Sequence, residues 1–379
     1  MTGIFLSDKK HPLSPRLPAI TIAIAITIVI AMAAPIRAAE IDHSQHEGHD
    51  MGTHAGHTGA AAHIHHQHER GTWMFEYRFM RMDMAGLLDG TNNVATTDIS
   101  GALPGMPPTK DPSKDYLMAP TAMTMDMHML MAMYGLTDRV SMMLMGSYIK
   151  TDMDMVMHMP AMDMVGTMKT DGLGDVLFGA MDSINENWTA SLSVSIPTGG
   201  IDGHSDVTMQ GTNPVTGMSV SNTNYVKAGY PMQLGSGTWD LIPSLTYADS
   251  TDKFGWGFQA SYRWHLGEND NDYTLGNVLQ AFGWGKYVLT PKLLGIGKLT
   301  ATDTGRIDGQ DPELDPTRSP TTDPSATGGT RVDLSLGLNG FIGQQHVLGI
   351  EFGLPVYQDL NGPQLETDWI LSFSYQLML

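Results

Sequence analysis

From Trp73 to the C-terminus the chain alternates between apolar and polar positions with a period of two, in segments of about 9–14 residues. A period of two is that of a β-strand. The pattern predicts strands near 72–84, 120–134, 138–151, 173–182, 187–196, 238–248, 254–265, 274–288, 291–302, 330–342, 345–354 and 368–379. The connections alternate as well. Short ones lie at 135–137, 183–186, 249–253, 289–290 and 343–344, and long Gly/Pro/Asp/Asn-rich ones at 85–119, 152–172, 197–237, 266–273, 303–329 and 355–367. Segment 226–235 is kept within its loop, because another strand there would break that parity. Regular alternation of short turns and long loops is the signature of an antiparallel transmembrane β-barrel, here of about twelve strands with both termini in the periplasm. The final segment alternates Trp369, Leu371, Phe373, Tyr375, Leu377 and Leu379. Outer-membrane barrels commonly end on such a segment, usually on Phe rather than Leu.

Polarity also predicts which faces point inward. In WMFEYRFMRMDM, Glu76 and Arg78 share a face with Met74, Met80, Met82 and Met84. A charge facing lipid at mid-bilayer costs roughly 2–4 kcal/mol, so this face belongs in the lumen. Arg81 and Asp83 on the other face are tolerable only at the outer rim. The same reasoning applied to TAMTMDMHMLMAMY turns Asp126 and His128 inward and most of its methionines toward lipid, with Met123–Met127 rising above the hydrocarbon. Met143 and Met145 share a face with Ser141 and Ser147 and are expected in the lumen.

The first 70 residues differ in texture. Lys9, Lys10 and Arg16 precede the apolar run from Leu17 to Ala34, with Ala31-Met32-Ala33 at its end. This reads as a signal peptide over residues 1–34, cleaved between 33 and 39. No other stretch approaches 18 consecutive apolar residues, which predicts no second helical span. Residues 35–70 read as a disordered periplasmic tail, and residues 71–379 as the barrel. The absence of Cys removes any disulfide framework, and a net charge of −19 disfavours a nucleic-acid partner.

Candidate chemistry is that of metals. The tail carries His43, His46, His49, His54, His57, His63, His65, His66 and His68, and imidazole suits Cu(II), Zn(II) and Ni(II). Two methionine groups join it as candidate ligands. One is the inward row Met74, Met80, Met82 and Met84. The other lies in the expected extracellular loop and holds Met153, Met155, Met157, His158, Met159, Met162 and Met164, continuing to Met168. Thioethers favour soft Cu(I) or Ag(I). The glycines of Asp171–Asp175 and Leu234–Asp240 lack the strand-to-helix setting of a phosphate loop and read as bends at the barrel rim. His204, His265 and His346 read as isolated loop or rim residues. Neither a nucleophile elbow nor an HExxH motif is present, and no enzyme is expected.

The segments GLGDVLFGAM, LGSGTWDLIPSLTY, HLGENDNDYTLGN and RIDGQDPELDP resemble outer-membrane proteins grouped with the meta-pathway phenol-degradation transporters. WMFEYRFMRMDMAGLLDGT and MDMHMLMAMYGLTDR are similar to a Met/His-rich branch of that family often found near copper-handling systems. The resemblance spans roughly residues 70–379. It implies an envelope transport role and no particular ligand set. Three functions suit the pattern. The leading expectation is a bacterial outer-membrane barrel that binds or conducts copper or silver, with Cu(I)/Cu(II) as bound ions and periplasmic metal-efflux or chaperone components as partners. The others are a passive channel for small hydrophobic or aromatic compounds, and a structural surface barrel without a pore.

Overall fold

The computed structural model describes residues 70–101, 116–159 and 161–379. The signal-peptide reading, the periplasmic tail and its nine candidate histidines lie outside these residues.

Eleven strands close into an antiparallel barrel: β1 (Trp73–Gly90), β2 (Ala119–Gly135), β3 (Val140–Met159), β4 (Val176–Ser183), β5 (Trp188–Ile196), β6 (Trp239–Ser250), β7 (Phe254–Leu266), β8 (Val278–Thr290), β9 (Leu293–Thr304), β10 (Gly329–Ile342) and β11 (His346–Met378). Each pairs with its neighbour in the chain, and β11 closes the ring on β1 through a register from Met74↔Met378 to Gly90↔Leu360. Strand β11 folds back on itself. Residues 346–360 pair with β10 while residues 360–378 pair with β1. The two arms touch where Met378 N donates to Gln345 O and where Phe352 stacks on Trp369. Counted as two staves, these arms and the other ten strands match the twelve segments predicted from alternation.

The exposed band includes Trp73, Phe75, Leu130, Leu144, Phe178, Leu192, Leu245, Leu336, Phe352 and Phe373. Such a band of outward apolar side chains is what hydrocarbon requires of a closed barrel. The intervening positions point inward, and many are polar: Ser193, Ser195, Thr246, Gln259, Ser335, Ser372, Ser374 and Gln376 are buried.

Two of the long connections are not loops. Strand β3 continues to Met159, and Met162–Leu173 returns antiparallel to it from Tyr148↔Leu173 to Met159↔Met162. This hairpin extends the wall outward. A second hairpin, His204–Thr212 with Ser219–Lys227, leans on it through Val165↔Gln210. The 3-10 turn at Tyr230–Met232 follows, so segment 226–235 adds no stave and the parity holds.

The connections on this side interlock into a lid. Leu117 and Met118 donate backbone N–H groups to Thr317 O and Arg318 O at 3.1 and 3.0 Å. Tyr116 Oη donates to Asp323 at 2.7 Å, and Asp311 N donates to Tyr230 Oη at 3.1 Å. Gly276 lies so close to Gly305 that an added Cβ would collide with its carbonyl oxygen. Any side chain there would push the two connections apart.

Candidate functional site: a two-faced cavity in the barrel

The facing of β1 is as its charges predict. Glu76 and Arg78 are buried, with Met74 and Met84 on the same side, and Trp73 and Phe75 are exposed. On the outward side Arg81 Nε meets Asp126 of β2 at 2.9 Å.

That outward pair overturns the expectation for β2. Residues directly opposed on antiparallel strands share a face. Inward Met74, Glu76, Met82 and Met84 oppose Met133, Met131, Met125 and Met123. Met123, Met129, Met131 and Met133 are therefore buried in the barrel, while His128 and Leu130 are exposed. His128 is satisfied on the outside, where Tyr77 Oη lies 2.9 Å from its Nδ1 and Phe79 packs against its ring. A polar residue can sit on the outer face when a cross-strand neighbour pairs with it, and that neighbour is on another strand.

The candidate methionines divide into two groups. Met74 belongs to a cluster at the short-turn end with Met131, Met133, Met143 and Met181. Met84, Met118, Met123, Met153, Met155, Met164, Met168, Met209 and Met232 form the core of a second cluster near the lid. Met82, Met125, Met157 and Met159 pack on its edge. Met80 is half-buried between them, opposite Met127. The Met74–Met84 row is therefore divided between two clusters. Met153–Met164 is not a loop: these residues form a packed β-hairpin, and His158 is held by Asp163 at 2.8 Å and Thr96 at 3.0 Å. The cross-strand register also builds a rung, Met84↔Met123↔Met153↔Met168. No cluster of three or more His, Asp or Glu suited to a metal occurs among the described residues.

Between the lid and the inner half of the barrel lies a cavity of about 790 Å³. One side is the methionine wall, with Met82, Met84, Met123, Met143, Met145 and Met153. Tyr230, Pro231, Pro320 and Ala326 come from the lid. The rest of the ring presents hydrogen-bonding groups: Ser191 and Ser193 from β5, Ser244 from β6, and Gln259, Ser261, Arg263 and His265 from β7. Gln280, Thr302 and Arg331 extend that polar wall across β8, β9 and β10.

Behind it sits a network the sequence did not reveal. Asp240 is fully buried and accepts from Thr238 Oγ1 at 2.7 Å, with His265 Nδ1 at 2.8 Å and Arg263 Nη1 at 3.6 Å. Asp175 accepts from Gly199 N, Ser236 N and Ser236 Oγ. The glycine-containing segments read as rim bends thus tie their side chains into this network. His265 is part of the cavity wall rather than an isolated rim residue. The spacing Thr238–Asp240 hints at a shared inward face, but its partner His265 is one strand away.

Toward the short turns the lumen is occupied by charge. Arg78 Nη2 and Glu76 are 2.6 Å apart, Gln376 Nε2 donates to Glu76 at 2.7 Å, and Lys298 meets Glu351 at 2.7 Å. Lys286, Trp284 and Phe282 are buried nearby along β8.

No family model and no curated protein matches the chain. Among solved structures it is similar to an outer-membrane channel from Pseudomonas putida F1, with a TM-score of 0.51, 14% identity, and coverage of 82% of this chain and 97% of that one. The toluene transporter TodX of Pseudomonas putida overlaps less well, at a TM-score of 0.47 and 7% identity over 81% of this chain and 90% of its own. The chain has the β-barrel fold of an outer-membrane channel.

Proposed function

We propose that this protein is a bacterial outer-membrane channel that admits small, largely apolar solutes through the lumen. The observation that carries this reading is the cavity under the lid, which joins a methionine wall to a polar wall inside a closed barrel. Mostly apolar concave sites with a few placed polar groups suit small organic ligands. Methionine adds flexible, polarisable contact that adapts to different shapes and packs well on aromatic rings. The overlap with an outer-membrane channel agrees with this reading.

The test is uptake of benzyl alcohol by cells with an intact lipopolysaccharide layer, with and without the protein. Ser261→Trp should bring uptake down to the protein-free level by filling the cavity. Equal uptake in cells that make and lack the protein would sink the reading.

The rung Met84–Met123–Met153–Met168 favours a second reading, binding of a soft monovalent ion. Replacing these four residues by Leu nearly conserves volume, so the barrel should keep its fold. In a chain lacking residues 40–70, the quadruple variant should lose about one equivalent of bound Ag(I), the count expected for one thioether site. Unchanged Ag(I) stoichiometry would reduce the methionines to packing.

A further inference from the structure

The cavity wall carries charge of one sign only. The chain has 40 Asp and Glu against 21 Lys and Arg, yet among the described residues no carboxylate lines the cavity. Its charged side chains are Arg263 and Arg331. Asp240 and Asp333, which pair with them, are buried beside them and take no part in the lining.

From this we infer that the preferred solute is amphipathic and anionic: a small organic acid with a compact apolar or aromatic body and a carboxylate head. The inference rests on the channel reading and narrows its solute class. Its body lies against Met84, Met123 and Met153, and its carboxylate meets Arg263 or Arg331 across the cavity.

Three features support the assignment. First, the two guanidiniums sit on β7 and β10, with the inward Gln280 and Thr302 between them. These neutral groups extend the hydrogen-bonding surface without adding a competing negative charge; Gln280 Nε2 donates to Thr302 Oγ1 at 3.3 Å. Second, a guanidinium has five donors arranged as a fork. Arg331 commits Nε to Asp333 at 3.0 Å and Nη1 to Thr367 at 2.9 Å, which fixes its plane while engaging two of the five. Arg263 is held more loosely, with its nearest carboxylate oxygen at 3.6 Å and its side chain 40% exposed. Third, a low-dielectric cavity strengthens a charge-assisted contact and penalises a charge of the wrong sign. A cation of the same shape would meet two guanidiniums and no carboxylate.

The experiment compares three probes that share a ring and differ in the head: benzoate, benzyl alcohol and benzylammonium. Binding to the purified full chain is measured by calorimetry at neutral pH, alongside uptake by cells. Benzoate should bind at least about tenfold more tightly than the other two, the gain expected of one charge-assisted hydrogen bond. Arg263→Gln and Arg331→Gln should each reduce that preference, and together abolish it. Heat-modifiable migration on gels verifies that each variant is folded. Arg331→Lys, which keeps the charge but loses the fork, should retain part of the preference. Equal affinities for the three probes, tighter binding of benzylammonium, or benzoate binding that survives the double variant would overturn the inference. If benzyl alcohol uptake still depends on the protein in that case, the channel reading stands. If no probe binds or enters, both fall together.

Discussion

Lys227→Met should open the lid. The Lys227 ammonium is 4% exposed and sits among three carboxylates: Asp311 at 2.8 Å, Asp202 at 2.9 Å and Glu313 at 3.4 Å. Asp311 is itself buried. Removing the cation leaves that carboxylate in a low-dielectric site without its partner, a change that costs about 3–5 kcal/mol when a buried pair is broken. The barrel strands do not depend on this contact, so the loss falls on the lid, which joins 202–230 to 308–323. Every 1.4 kcal/mol is tenfold, so the balance between closed and open lid should shift by roughly a hundredfold to a few thousandfold. Single-channel recordings should show higher open probability, and a protease should cut within 305–328. Wild-type open probability and wild-type protease resistance in the variant would refute the clamp.

The clamp also predicts a flat pH response. Burial opposes charge on Lys227, but hydrogen bonds to Asp311 and Asp202 outweigh it and raise its pKa above the ordinary 10.5. The hydrogen bond from Lys227, and then that from Asn271, hold Asp202 below its ordinary 3.8. A raised lysine stabilises below its unfolded pKa and loses that contribution as pH climbs through the folded value. A depressed carboxylate stabilises above its unfolded pKa and loses that contribution as pH falls through the folded value. In a His204→Gln background, which removes the imidazole 3.8 Å from Glu313, open probability should therefore stay level from about pH 5 to about pH 9 and rise only at the extremes.

The second large effect is at the other end of the lumen. Arg78→Met removes the partner of Glu76, whose side chain is 3% exposed and whose remaining contact is Gln376. The expected loss in unfolding free energy is about 3–5 kcal/mol, measured by urea titration in phospholipid vesicles. The double variant Glu76→Leu/Arg78→Met should recover most of it, because apolar groups of similar volume replace a buried pair at little cost. A double variant no better than Arg78→Met would mean that the pair does more than neutralise itself.

The strands were readable because a half-buried strand must alternate, and all twelve segments could be located from alternation and turn residues. Glu76 and Arg78 faced inward as expected because lipid excludes charge more strongly than a lumen does. The same logic misplaced the methionines of TAMTMDMHMLMAMY. It treated Asp126 as if it had no partner, when Arg81 on the neighbouring strand satisfies it outside the lumen. A one-residue difference in facing inverts a whole strand, and here pairing with β1 decided it. Sequence alone makes 152–172 a loop because its two arms form a hairpin above the expected end of the strand, where alternation no longer reports a lipid face.

The amino-acid sequence by itself determined the all-β class, the strand segments, the parity of their connections and an unusual supply of methionine. Only the tertiary structure decided what that methionine faces and what shares its cavity. Arg263 and Arg331 are far apart in the chain; Asp333 follows Arg331 closely on its own strand, whereas Asp240 lies on the strand before Arg263. No local pattern shows that the two guanidiniums line one cavity while their carboxylates, buried beside them, stay out of its lining. Ring closure makes that arrangement, because cross-strand register brings β7 to β10 side by side and assigns each side chain its neighbours.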